Sequence, residues 1–356
     1  MGLFCSIGFG ESVMKITLQE KELDSLILSK PENIRYLTGY TGDTGVYVQV
    51  GKEQYLLTDF RYEEQAKRQA IDCEVVTVKG AYAEPVAELV KGRTGFEGSV
   101  LTWAEGEAFR DRCGDLKDIS GWIEDLRKIK TKQEQELIQK ASEISQEAFW
   151  QTLEAIRPGM AEREVAAELD YRMRRLGAER TSFTTITVAG ANSSLVHGEP
   201  SEYRLQPGDF LLMDFGCVYQ GYCSDMTRTV GIGSVSQRQK EIYKIVKEAQ
   251  AEALAVIKPG VTYQEADRAA RQVIEQAGFG SRFGHSLGHG VGLEIHEKPT
   301  LSPKSEGILQ PGMVVTVEPG IYLEGEFGIR IEDLVVVNDV NCDNLCQNTP
   351  KELLCV

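Results

Sequence analysis

A short segment occurs twice in this chain of 356 residues. Leu205-Gln206-Pro207-Gly208 opens an apolar run that ends at Asp214-Phe215-Gly216, and Leu309-Gln310-Pro311-Gly312 opens another that ends at Glu318-Pro319-Gly320, at an offset of 104. Each acid is followed by a turn and a returning strand with a second acid, Asp225 in one copy and Glu332 in the other. Upstream, Ile156-Arg157-Pro158-Gly159-Met160 matches Ile257-Lys258-Pro259-Gly260-Val261 at an offset of 101. His197-Gly198-Glu199-Pro200 roughly matches His296-Glu297-Lys298-Pro299 at an offset of 99. Solenoid units are roughly 20–50 residues long and recur three times or more. A longer unit that occurs twice implies instead two related halves facing each other.

Helix signals repeat on the same plan. Thr131-Lys132-Gln133-Glu134 is a capping box, in which the hydroxyl satisfies a free backbone N–H and the glutamate reaches back. Leu137, Ile138, Ala141, Ile144, Ala148 and Phe149 then recur at helical spacing. Pro158-Gly159 ends that helix, and a shorter one runs from Glu162 to Leu176, stopped by Gly177. In the second copy Ser236 to Gln239 opens a helix reaching Lys258, and Thr262-Tyr263-Gln264-Glu265 caps one that stops at Gly278. Each half therefore reads as helix, helix, then strands. Residues before about 125 alternate strand and helix signals and form a small α/β domain. In it, Val46–Val50 and Gln54–Thr58 flank a turn, Tyr62 to Ala70 and Pro85 to Lys91 read as helices, and Cys73 to Val78 reads as a strand. Lys128-Ile129-Lys130 marks the boundary.

The four acids carry the chemistry. With a turn centred between Tyr219 and Gln220, Asp214 faces Asp225; with a turn centred on Gly325, Glu318 faces Glu332. Like charges directly opposite on paired strands are destabilising. One such acid is ordinarily a solvated edge residue, but four in a duplicated pattern call for a neutralising partner. Two divalent cations would offset four carboxylates. Oxygen-rich ligands suit Mn²⁺, Co²⁺ or Fe²⁺ better than a thiolate-type zinc site. All four histidines stand near this pattern: His197, and His285, His289 and His296 within one glycine-rich twelve-residue segment. One imidazole as a fifth ligand, with the others as donors or proton shuttles, is the economical assignment.

The bulk numbers exclude several alternatives. A net charge of −15 argues against a nucleic-acid footprint, which is normally basic. No apolar run reaches the roughly 18 residues of a membrane helix. Eight cysteines without a C-x-x-C pair suggest neither a disulfide framework nor a cysteine zinc site, and point to free thiols in a reducing cytoplasm. Met1-Gly2-Leu3-Phe4-Cys5-Ser6 fits the myristoylation pattern. An extended start, with Met14-Lys15 as the natural one, is the preferred reading.

At these residues a resemblance becomes specific. Met213-Asp214-Phe215-Gly216, Ser224-Asp225-Met226-Thr227-Arg228-Thr229, Gly288-His289-Gly290-Val291-Gly292, Val317-Glu318-Pro319-Gly320 and Arg330-Ile331-Glu332-Asp333 resemble the five metal-ligand motifs of the pita-bread metallopeptidases. Thr58-Asp59-Phe60-Arg61-Tyr62 is similar to the leading domain of the Xaa-Pro aminopeptidase and prolidase branch. The resemblance runs from about residue 15 to the end. It implies an α+β fold: a creatinase-like α/β domain over residues 15–127, then a catalytic domain over 131–356 of two pseudo-symmetric halves with a curved antiparallel sheet. Asp214 would bind one metal, His289 and Glu318 the other, and Asp225 and Glu332 would bridge both. His197 and His296 would contact the scissile peptide, and His285 matches a further active-site position. Glu318 would accept and donate a proton. Arg330 would orient the carboxylates, unless it is simply a surface strand cation. The implied activity is a two-metal aminopeptidase cutting before proline, with manganese the expected ion and cobalt, iron or zinc as alternatives. A dipeptide-restricted prolidase is the nearest alternative, and a non-catalytic binding protein a more distant one. Expected partners are short peptides with proline second and, through the leading domain, a second copy of the chain; neither nucleic acid nor membrane is expected.

Overall fold

A computed structural model describes residues 16–356. The Met1–Ser6 pattern and the Met14 start lie outside the described residues. The chain divides between Arg127 and Lys128 into two units.

The first unit is built on a six-stranded mixed sheet. Ser25–Leu28 pairs antiparallel with Val46–Val50 and parallel with Thr94–Phe96. The apolar runs Ser-Leu-Ile-Leu and Val-Tyr-Val-Gln-Val are buried throughout, as expected of strands covered on both faces. Leu26, Leu28 and Tyr47 pack into one core, while Ile27, Val46 and Val48 pack into another on the opposite face. The helix expected from Pro85 spans Ala83–Leu89. It starts two residues earlier because proline is tolerated in a first helical turn, where its missing N–H costs nothing.

The second unit realises the duplication. Its helix pairs are Lys132–Ala155 with Glu162–Arg175, and Gln237–Val256 with Tyr263–Gln276. Thr131, Ser236 and Thr262 each form the expected reciprocal capping box. The Gln237–Val256 helix stops short of Lys258, which precedes Pro259 and is disfavoured in the helical region. Each half then closes on itself with the same clasp. Gly159 N–H donates to Leu205 O at 2.8 Å, and Gly260 N–H donates to Leu309 O at 2.9 Å. Leu205 and Leu309 return bonds to Met160 and Val261 at 2.9 and 2.8 Å. The tight turns need glycine: Gly159 and Gly260 have φ of 90° and 86°.

The strands of the halves meet at a seam. In the first half, Phe210–Phe215 lies between Ile186–Ala189 and Met226–Gly231, all antiparallel. In the second, Gly288–Gly290, Val314–Val317 and Asp333–Val337 form the centre of a five-stranded sheet, and Gly320–Leu323 pairs with Phe327–Arg330. Glu332 N–H donates to Thr227 O at 3.1 Å, and the Thr229 hydroxyl donates to Arg330 O at 3.0 Å. The two returning strands therefore lie side by side, which draws both acid pairs to one place.

Candidate active site

The first hairpin turns one residue later than the sequence reading expects. Tyr219 pairs with Tyr222, and Gln220-Gly221 form the turn, with φ of 47° and 83°. Two positive φ values make the two-residue turn whose twist matches paired strands. Asp214 consequently faces Thr227, not Asp225. Asp225 falls opposite Gly216 in the gap between ladders, where a Cβ on Gly216 would lie 1.9 Å from Ser224 O. The second hairpin follows expectation. Val317↔Asp333 and Gly320↔Arg330 bracket Glu318 and Glu332 in facing register.

All nine residues singled out in the sequence border one cleft of about 460 Å³: Asp214, Asp225, Glu318, Glu332, His197, His285, His289, His296 and Arg330. Asp225, His289 and Glu332 each offer a ligand atom, and these atoms lie within 4.8 Å of one another. His289 Nε2 is 3.6 Å from Asp225 and 3.4 Å from Glu318. Its Nδ1 is 3.1 Å from Gly290 O, so Nδ1 carries the proton and Nε2 presents its lone pair to the acids.

Burial raises the carboxyls. Desolvation, then the neighbouring acids, holds Asp225 and Glu332 well above the carboxylate range. Desolvation pushes Glu318 up to about 8, opposed by Arg330 and reinforced by Asp214. Desolvation lowers His289 to about 4, helped by His296, whose ring lies 4.4 Å away centroid to centroid. His285 also falls to about 4, through desolvation and the Arg330 charge. The site thus combines neutral imidazoles with acids that resist ionising beside one another.

Arg330 is 3% exposed, which removes the surface-cation alternative. Its guanidinium donates to Asp214 at 2.5 Å, to the Thr227 hydroxyl at 3.0 Å and to the Tyr322 hydroxyl at 2.9 Å. Asp214 Oδ2 is held this way, while its Oδ1 is buried with no hydrogen-bond partner. Buried polar atoms are nearly always paired. An orphaned carboxylate oxygen, three carboxyls with raised pKa and an imidazole lone pair aimed at two of them fit divalent cations in an oxygen-rich cage.

The histidines differ in their freedom. His285 is fully engaged: Nδ1 lies 2.8 Å from Ser286 O, and Nε2 accepts from Tyr322 at 2.9 Å. His197 and His296 are exposed in the cleft. Three positions escaped the sequence reading. Thr227 donates to Glu332 at 2.6 Å, Thr316 donates to Glu318 at 3.1 Å, and Tyr322 bridges Arg330 and His285. The signal for the threonines was two-residue strand periodicity, which places Thr227 on the face of Asp225 and Thr316 on that of Glu318.

Residues 136–339 match the metallopeptidase family M24 and residues 15–129 match the creatinase/prolidase N-terminal domain. The chain belongs to metallopeptidase family M24 and is a metal-dependent peptide hydrolase with the pita-bread fold. It is 41% identical over 342 residues to the Xaa-Pro dipeptidase of Pyrococcus furiosus, covering 95% of this chain and 97% of that one. The structure resembles the Xaa-Pro dipeptidase from Bacillus anthracis with a TM-score of 0.92 at 42% identity, covering 95% and 97% of the two chains. It resembles the X-Pro aminopeptidase from Thermotoga maritima with a TM-score of 0.87 at 39% identity, covering 94% and 98%.

Proposed function

We propose that this protein is an Xaa-Pro dipeptidase, releasing proline from dipeptides, and that it works with two divalent cations, manganese first among them. The carrying observation is the convergence of Asp214, Asp225, His289, Glu318 and Glu332 in the cleft that also holds His197 and His296. The dipeptidase names of the relatives weigh the choice towards prolidase, against the aminopeptidase reading that the motifs first suggest. The aminopeptidase reading keeps support from the likeness to the Thermotoga maritima structure. A cytoplasmic homodimer is the working assembly.

Asp214, Asp225, His289, Glu318 and Glu332 would hold the cations. When bound, these supply Lewis acidity and lower the pKa of water. The chain's residues do the rest. Glu318, which lines the cleft 3.4 Å from His289 Nε2, would take a proton from the attacking water and pass it to the leaving nitrogen. His197 and His296 face the cleft with hydrogen-bonding edges for the substrate carbonyl and its developing charge. Arg330 fixes one Asp214 oxygen and leaves the other buried without a hydrogen-bond partner.

The test is cleavage of Ala-Pro against Ala-Pro-Ala, with Mn²⁺, Co²⁺ and Zn²⁺ supplied separately. Hydrolysis of Ala-Pro with little action on Ala-Pro-Ala is the expected result. Efficient cleavage of the tripeptide would return the aminopeptidase reading. Inertness towards both at full metal occupancy would reject Xaa-Pro cleavage altogether.

A further inference from the structure

His197 has a supporting device of its own. It sits on a thirteen-residue excursion from Ala189 to Ser201, of which 196–200 line the cleft. Both ends of that excursion are tied to one side chain. Glu162, fully buried, accepts from Ala189 N–H at 2.6 Å and Asn192 Nδ2 at 3.1 Å through one oxygen. Its other oxygen accepts from Ser201 N–H at 3.0 Å and the Ser201 hydroxyl at 2.6 Å. Its backbone carbonyl takes the Thr187 hydroxyl at 2.6 Å. The middle of the excursion docks on the second half, where the Ser193 hydroxyl accepts from Gly328 N–H at 2.8 Å.

A buried carboxylate is costly unless it is hydrogen-bonded, and charge-assisted bonds are the strong ones. As the first residue of the Glu162–Arg175 helix it also sits where the helix dipole favours an anion. That explains the charge but not the bonding, since every side-chain bond goes to the His197 excursion and none to the helix. We infer that Glu162 is a positioning residue for His197, closing the base of the loop so that the imidazole is presented to the substrate at a fixed place. This rests on the reading above that His197 meets the substrate.

The experiment is a double-mutant cycle on the full-length, metal-loaded enzyme. Glu162→Gln puts an amide N–H₂ against groups that are themselves donors. A displacement of about 1 Å costs on the order of 10²-fold in rate. We expect kcat/KM on Ala-Pro to fall by about that factor, to the level of His197→Ala, with Mn²⁺ affinity unchanged. The double variant should then be no worse than His197→Ala alone, because residues that act as a unit are non-additive. Additive losses, or loss of Mn²⁺ affinity in Glu162→Gln, would overturn the proposal. If Glu162→Gln does not fold, Ser201→Ala and Asn192→Ala remove one donor each, and non-additivity with His197→Ala is required of both. The ring ¹⁵N signals of His197 give a readout independent of turnover. They should shift or broaden in Ser201→Ala even if the wild type fails to cleave Xaa-Pro; unchanged signals reject the positioning role whatever the activity.

Discussion

At Asp225 and Glu332 two acids share a buried space with Glu318 and Asp214, and that crowding makes each of them informative. Asp225→Asn and Glu332→Gln keep shape and remove charge, so each should abolish Mn²⁺-dependent cleavage of Ala-Pro; near-normal activity at matched metal occupancy would contradict the assignment. The same crowding sets a pH dependence for the metal-free protein. Glu318 titrates at about 8 when folded against 4.5 for a free side chain, and Asp225 and Glu332 are raised in the same direction. At these three acids the folded state therefore binds more protons than the unfolded one. That contribution to stability is full below about 4.5 and is lost as pH rises towards 8. His285 and His289, lowered to about 4, act in the opposite sense up to about 6.5, so thermal melts of chelated protein should show Tm falling most clearly between about 6.5 and 8, and Mn²⁺ should flatten the slope. A Tm that climbs with pH over that range in the chelated protein would contradict it. The nine site residues were legible because acids and histidines recur in a duplicated frame; Tyr322 was not, because an aromatic in an apolar strand reads as core until its hydroxyl is placed.

The hairpins are where reading and structure part by one residue. Capping boxes and Pro-Gly stops are local chemistry, so the helices of the catalytic unit came within two residues of their ends. A turn centre depends on which residues take positive φ, and Gln220 does so here without being glycine. Thr227 and not Asp225 lies opposite Asp214, but strand alternation places Asp225 and Thr227 on one face, so the acids still cluster. Gly216 is the residue this geometry depends on. A Cβ there would collide with the Ser224 backbone, and overpacking of this kind costs about 1–3 kcal/mol. Gly216→Ala should lower Tm accordingly and weaken Mn²⁺ binding through the displaced Asp225, measured by calorimetric titration. Unaltered binding would show that the close approach at Gly216 does not place the acid.

On the scale of the whole molecule, the proposed ligands are divided between halves: Asp214 and Asp225 come from one, and His289, Glu318 and Glu332 from the other. The sequence disclosed two halves through its repeated segments, but not the seam that joins them, because Thr227 with Glu332 and Arg228 with Asp333 are each 105 residues apart. Metal held by these proposed ligands would stabilise the two halves as a unit. A ligand at a hundredfold excess over its Kd adds about 2.7 kcal/mol. Removing Mn²⁺ with a chelator should therefore lower the melting temperature of the catalytic unit as one cooperative transition, seen by scanning calorimetry. Two separate transitions, with only one moved by the chelator, would place the metal within a single half.

The matched clasps bear on the order in which the protein assembles. Each clasp links residues about fifty apart in the chain, Gly159 to Leu205 and Gly260 to Leu309, while the seam links residues a hundred apart. Closing longer loops costs more entropy, and distant pairings form slowly. The halves should thus take shape first, each through its own clasp, and join afterwards. Neither half holds the full set of proposed ligands, so uptake of the cations is expected at the closing step of folding, and during refolding tight metal binding should appear with the slowest phase, not before it.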